Sequence, residues 1–403
     1  MADTNEFSSS AEGVAWNLAD LYAGPEDPSI EADLDIALSR AQAFESRYRG
    51  AIAIDGGIAP GSLCDALTEF EALNEQIDRA LSYAHLVHAA DSDTAANGAL
   101  LQAVRERSTA IRKHLIFFEL EWLELPDADA DRLAADPAVA PFRHYLETER
   151  RYRPHRLTEP EEKILDEKAN TGARAFSRLF DEVLASARFR IEVDGKAQEM
   201  SEQQALALLY HPDRSQRRAA SDGFTRGLLG HTRLLTYIFN TLVVDHKLDD
   251  ELRGYPSPMS SRNLSNEIGQ DSVETLLTCA ESGYDIVQRY YRFKADLLGM
   301  DKLCDYDRYA PASSDMPSCD WDRCRGLVRE AFRSFDGRAG DIVGEFLDRS
   351  WIDAELRPGK RGGAFSSSTV PSIHPYILVN YTDRLRDVMT VAHELGHGIH
   401  QYL

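Results

Sequence analysis

His393-Glu394-Leu395-Gly396-His397-Gly398-Ile399-His400 lies within a run that begins at Leu385 and has a helical period. Leu385, Val388, Ala392, Leu395, Ile399 and Leu403 recur at spacings of three and four, which marks one face of a helix for burial. Roughly 100° round that helix, Arg386, Thr390, His393, His397 and His400 make a polar face suited to a cleft. Thr382 and Asp383 are placed as N-caps, and Asp383 and Asp387 suit the positive end of the helix dipole. His393 and His397 stand one turn apart, close enough to hold one zinc ion between them. Glu394 is beside them but off the ligand row, where a carboxylate can take a proton from metal-activated water. His400 shares the polar face, yet it lies roughly 10.5 Å along the axis from His393. Three imidazoles so spread cannot converge on one ion with bonds of about 2.1 Å. His400 therefore reads as a cleft-wall residue. Gly396 and Gly398 each cost about 1 kcal/mol in a helix interior, which predicts close approach of another backbone or of a substrate there.

The residues just upstream extend the site. Gly359-Lys360-Arg361-Gly362-Gly363-Ala364-Phe365 is a glycine-rich turn, but its spacing is not that of a phosphate-binding loop and no Ser or Thr follows the lysine. After Pro375, Tyr376-Ile377-Leu378-Val379-Asn380-Tyr381 is a short β-type run. Such a run is either plain core or the exposed edge on which an extended peptide forms backbone hydrogen bonds. On the second reading Tyr376, Asn380, Tyr381 and His400 are the candidate substrate-binding residues.

Bulk properties narrow the class. A 403-residue chain with 43% hydrophobic and 28% charged residues has the composition of an ordinary soluble protein, large enough for two or three subdomains. The net charge of -22 repels phosphate backbones and anionic lipid, so it argues against nucleic-acid and membrane-surface functions. It serves either solubility or the attraction of cationic substrates. Residues 1–35 hold nine acids and no Lys or Arg. Cys64, Cys279, Cys304, Cys319 and Cys324 contain no CxxC pair and read as reduced thiols, which predicts a cytoplasmic location. The start Met-Ala-Asp-Thr-Asn-Glu has no basic or apolar signal-peptide region, and Leu234–Val244 is too short and too interrupted to span a bilayer.

Along the chain helical periods dominate. Leu34, Ile36, Ala37, Ala41 and Phe44 predict a helix closed by Gly50. Ser62 is a candidate N-cap for a long helix towards Ala90, and Leu100, Leu101, Val104, Ile111, Leu115 and Phe118 predict its hairpin partner. Leu125–Ala140, rich in Asp, Ala and Pro, reads as a subdomain boundary. Thr158 with Glu161 is a capping box. Phe189, Ile191 and Val193 alternate with charged residues before Asp194-Gly195, which predicts a β-hairpin. Ser201 with Gln204 caps the next helix, and Leu234–Leu248 and Val273–Leu298 are further helical stretches. The fold class is mainly α with a few short strands.

Together these segments resemble the oligoendopeptidase F group of the M3 metallopeptidases. HELGHGIH at His393–His400, the Gly-Ala-Phe turn and His374–Tyr381 carry the resemblance, as do Trp16–Tyr22, Arg153–Thr158 and Glu161–Leu165. It implies a multi-helix, clam-like enzyme of zincin type that cuts short oligopeptides with one zinc ion. It divides the chain into a helical hairpin region at 1–125, a subdomain ending in the hairpin at 126–200, and a catalytic domain at 201–403. His393 and His397 are then the ligands and Glu394 the general base. The family's third ligand, a glutamate on a following helix, falls beyond Leu403, as do its Tyr and His groups at the tetrahedral intermediate. The chain is thus expected to be C-terminally truncated. Two other readings stay open: an exopeptidase with the same module, and a catalytically incomplete peptide-binding or scaffold protein.

Overall fold

The computed structural model describes residues 9–312 and 318–403, so the Met1–Glu6 start lies outside the described residues. Asp27 opens α1 (Pro28–Tyr48) by accepting the Ser29 amide at 2.9 Å, and Gly50 follows its end in a left-handed conformation. α2 (Pro60–Ala90) begins behind Ala59 with Pro60 in its first turn, so Ser62 lies inside the helix and is not its cap. The predicted partner is two helices, α3 (Ala95–Arg112) and α4 (Ile116–Glu124), with a break at Lys113–Leu115.

Leu125–Ala140, read above as a subdomain boundary, is itself folded. It folds as α5 (Asp127–Ala134) and a 3-10 turn, Pro137–Phe142, and fully buries Leu133 and Val139 in the core that contains Phe44, Leu73 and Ile111. Two well-placed apolar anchors outweigh a polar composition. α6 (Arg143–Arg151) follows, then α7 (Glu159–Ala169) behind the Thr158–Glu161 capping box, and α8 (Ala173–Ser186). β1 (Phe189–Val193) and β2 (Lys196–Met200) pair antiparallel through Asp194 and Gly195, both at positive φ. Phe189 and Ile191 seed a small separate core there. α9 (Glu202–Leu208) carries the Ser201–Gln204 capping box. α10 (Arg214–Gly230) packs on β1, and α11 (Thr232–Arg253) packs on α8. After α12 (Ser260–Ser265), the predicted helix at 273–298 is broken at Gly283 into α13 (Gln270–Ser282) and α14 (Tyr284–Leu297). Tyr237, Phe239, Leu276, Val287 and Phe293 on α11, α13 and α14 are exposed. No helix among the described residues is long and apolar enough to cross a membrane.

The C-terminal part is a helix pair, α15 (Trp321–Phe335) and α16 (Gly337–Asp348), then β3 (Ile352–Asp353), β4 (Phe365–Ser367), β5 (Tyr376–Leu378) and α17 (Leu385–Tyr402). The sheet order is β3-β5-β4, with β5 parallel to β3 and antiparallel to β4. β5 is therefore the central strand, and the edge expected from Tyr376–Tyr381 belongs to β4. The segment around Trp16 explains why the start and end of the chain meet. Trp16 packs against Phe365 and Tyr376, and Asn17 and Ala354 amides bond the Ser350 and Val14 carbonyls at 2.8 and 2.9 Å. One hydrophobic cluster runs from Ala11 through α1–α6 to β5 and α17, so the division expected at residue 125 passes through continuous core.

A buried charge cluster fastens this core to the sheet. Asp353 on β3 is fully buried and faces Lys360 at 2.6 Å and Arg357 at 2.9 Å. The Lys360 ammonium also donates to the Glu355 and Val379 carbonyls at 2.8 and 2.7 Å. Burial pulls the Lys360 pKa down to about 8, so it stays protonated at neutral pH. On the other side of the turn, the Arg361 amide and Arg357 Nε bond the Ala89 and Ala90 carbonyls at the end of α2. Gly359, at φ 76, presents its carbonyl to the Ser92 amide and hydroxyl.

Removing one partner of a buried pair strands the other, so Lys360→Met should cost about 3–5 kcal/mol in urea unfolding; a loss near zero would contradict the role given to this cluster. A second expectation concerns acid. Glu159 is held down to about 2 by Arg49 and then Lys163, below the value of about 4.3 in an unfolded chain. Its contribution is complete above the unfolded value and lost as pH falls through about 4 towards 2. The stability gap between wild type and Glu159→Gln should close over that window, from at most about 1 kcal/mol at this part-exposed pair.

Candidate active site

The chain leaves β5 and enters α17 through a short, tightly bonded turn. Asp387 reaches back to accept the Thr382 amide and hydroxyl at 2.7 and 2.6 Å. Arg384 is the N-cap residue, and Asp383, at φ 61, instead accepts the Ser10 amide at 3.0 Å. The predicted apolar stripe is turned slightly from the observed one. Val391, Glu394, Leu395 and Gly398 are buried, whereas Leu385 and Leu403 are exposed.

This rotation places the motif. His393 and His397 are exposed, and their Nε2 atoms approach to 3.1 Å with the rings nearly perpendicular. Metal–nitrogen bonds of about 2.1 Å fit a 3.1 Å separation at an N–metal–N angle of about 95°. Two imidazole nitrogens that converge in this way could hold a zinc ion between them. Glu394 is 7% exposed and hydrogen-bonded to nothing among the described residues. No group of three metal-ligating side chains occurs among the described residues, so His400 does not complete the set. It is exposed, one turn beyond His397.

The other predicted residues divide. Tyr376 and Tyr381 are fully buried, and their hydroxyls donate to the Asn17 and Cys319 carbonyls at 2.9 and 2.8 Å. Burial raises both phenol pKa values, so they stay neutral. Their side chains are packed in the core, which corrects the expectation that they are exposed for substrate, although Tyr381 also borders the cavity beside Asn380. Asn380 remains at the surface and holds the glycine-rich turn, donating to Arg361 and Gly363 carbonyls at 3.1 and 2.8 Å. A cavity of about 340 Å³ lies beside it, lined by Asn380, Gly363 and Thr390, three residues before His393. Its outer wall is Tyr210 stacked on Tyr309, with Arg386 over both rings. The Tyr210 hydroxyl is buried without a hydrogen-bond partner among the described residues. Sequence reasoning missed this wall because Tyr210 and Tyr309 come from distant segments with no motif around them. A larger cavity, about 820 Å³, lies among α4, α7 and α11 and touches none of the motif residues.

Comparison with known proteins bears on this site at both ends of the chain. The family model described as Oligopeptidase F matches residues 121–189, and that of Peptidase family M3 matches residues 335–403. Over these two stretches the chain is similar to the oligopeptidase F and M3 peptidase families. It is 25% identical over 402 residues to group B oligopeptidase PepB of Streptococcus agalactiae, covering 96% of this chain and 64% of that protein. Oligopeptidase PepF of Bacillus subtilis is 22% identical over 396 residues, covering 96% and 57%. The chain thus spans less than two thirds of the length of these relatives. Among solved structures, oligoendopeptidase F from Enterococcus faecium superposes with a TM-score of 0.64 at 21% identity, over 79% of this chain and 59% of that one. PZ peptidase A superposes with a TM-score of 0.73 at 15% identity, over 96% and 65%. These likenesses show a mostly helical fold shared with those proteins.

Gly396 and Gly398 of the histidine motif have different reasons. A Cβ at Gly398 would meet the Phe346 ring at 2.9 Å and Ile377 at 3.3 Å, so core side chains make the close approach, rather than a backbone or a substrate. A Cβ at Gly396 would meet nothing within 4 Å among the described residues. Gly398→Ala should therefore destabilise the chain by about 1–3 kcal/mol through overpacking. Gly396→Ala should stabilise it by up to about 1 kcal/mol through helix propensity. Equal effects in denaturant titrations would contradict this distinction.

Proposed function

We propose that this chain carries the ligand-and-base module of a zinc-dependent endopeptidase for short oligopeptides. The observation that carries the reading is the convergence of His393 and His397 Nε2 at 3.1 Å with Glu394 next in sequence. His393 and His397 would hold the ion, and in the family pattern the third ligand is a glutamate on a following helix. Bound zinc supplies a Lewis acid for the scissile carbonyl and the attacking water. Glu394 accepts a proton from that water and passes it to the leaving amine. The free edge of β4 offers backbone groups to an extended peptide, and the Ser366 hydroxyl ties β4 to Gln401 of α17 at 2.7 Å. Asn380 fixes the turn that enters β4, and His400 borders the same face. Five free cysteines support a cytoplasmic setting.

Glu394→Gln should lower cleavage of an end-blocked, internally quenched peptide by about 10²–10⁴-fold while zinc content, read by mass spectrometry, is unchanged. Retained cleavage would remove Glu394 from the mechanism, and cleavage only of unblocked peptides would indicate an exopeptidase. His393→Ala and His397→Ala should each abolish stoichiometric zinc in competition with a chelator. Zinc that survives both substitutions would place the metal elsewhere.

A further inference from the structure

β4 ends at Ser367, and a cavity of about 390 Å³ opens at that end of the edge strand. Ser367 forms one wall, and Arg105, Ser108 and Arg112 of α3 face it with Asn170 and Arg174. A narrower space of about 60 Å³ also contains Arg105 and adds Arg178 and Arg361. Most of these guanidiniums are already paired. Arg174 meets Asp166 and Arg178 meets Glu182, both at 2.6 Å, Arg112 meets Asp78, and Arg361 lies 3.9 Å from Asp181. Arg105 is the exception: among the described residues it has neither a carboxylate at ion-pair distance nor a hydrogen-bond partner. Burial, then repulsion from Arg178 and Arg174, disfavours its charged form.

An unpaired guanidinium half withdrawn from water is costly unless something pairs with it. In a chain of net charge -22 most of the surface repels anions, so a local positive cavity directs them to one place. A peptide added to β4 as a further strand runs past Phe365 and Ser367 directly to that cavity. The planar fork of arginine matches a carboxylate in two parallel hydrogen bonds.

We propose that Arg105, at the Ser367 end of β4, forms a subsite for a carboxylate of the bound peptide, either an acidic side chain or the C-terminal α-carboxylate. The proposal rests on the reading of β4 as the strand that holds an oligopeptide. Arg174 and Arg178 reinforce the field but remain committed to Asp166 and Glu182. The subsite gives the net-acidic chain a preference for peptides with a negative group at one end, opposite to the preference for cationic substrates that its overall charge suggests.

The test uses fluorescein-labelled peptides and the metal-free protein in chelator, so that binding is read without cleavage. One pair of peptides lacks acidic residues and differs only in a free or amidated C-terminus. A second, amidated set exchanges Glu for Gln at successive positions. The wild type should bind the carboxylate form of one pair about 10-fold more tightly by anisotropy at low salt, with the ratio falling as salt rises. Arg105→Gln should bring the ratio to one, and Arg105→Lys should restore part of it. The arm that responds identifies the source of the carboxylate. Equal binding of both forms by the wild type, or a ratio unchanged in Arg105→Gln, overturns the subsite. Absence of saturable binding by either form does so as well. If the Arg105-dependent ratio is found but no zinc-dependent cleavage occurs, only the peptidase reading fails.

Discussion

Asp353 is a carboxylate on a strand with no water beside it, and much of the C-terminal architecture answers to that fact. A lone buried charge is prohibitive, so two cations must be brought to it. They come from four and seven residues further along the chain, Arg357 and Lys360. Meeting that demand bends 354–365 into the glycine-rich turn, whose other side ends α2 by bonding its last carbonyls. The same turn delivers the chain to β4 in register with β5. β5 in turn supports α17 through Ile377 against Gly398. The histidine pair is therefore positioned by a charge cluster that never touches it.

Electrostatics act at two scales here. Globally the chain is strongly acidic, which keeps it soluble and repels polyanions. Locally, arginines on α3 and α8 gather at the Ser367 end of β4, an edge strand. The average charge says little about what the cleft prefers, because screening confines each charge to a range of about 10 Å or less. On the opposite side of the sheet, Tyr210, Tyr309 and Arg386 form a wall of a different character, aromatic and cationic, at the start of β4. The edge strand thus runs between two chemically distinct ends.

Local signals were legible wherever the physics was local. The capping boxes at Thr158 and Ser201, the Asp194-Gly195 turn and the helical phase of His393 and His397 each depend on a few adjacent residues, and each is found. Composition alone did not show that Leu125–Ala140 packs two side chains into the core despite its polar neighbours. It misled at Tyr376–Tyr381, because a strand's place in a sheet depends on which segments pair with it. Gly396 and Gly398 looked alike in the sequence, and only the packed core separates them.

The sequence by itself determined the chemistry: two imidazoles one turn apart and an adjacent carboxylate can be read from a helical period alone. It also carried the family likeness, which the matches at residues 121–189 and 335–403 repeat. The tertiary structure decided what surrounds that chemistry. It made β5 central and β4 the edge, withdrew Tyr376 and Tyr381 into the core, and left Arg105 unpaired beside Ser367. Those outcomes depend on contacts between residues hundreds of positions apart, which no local period encodes.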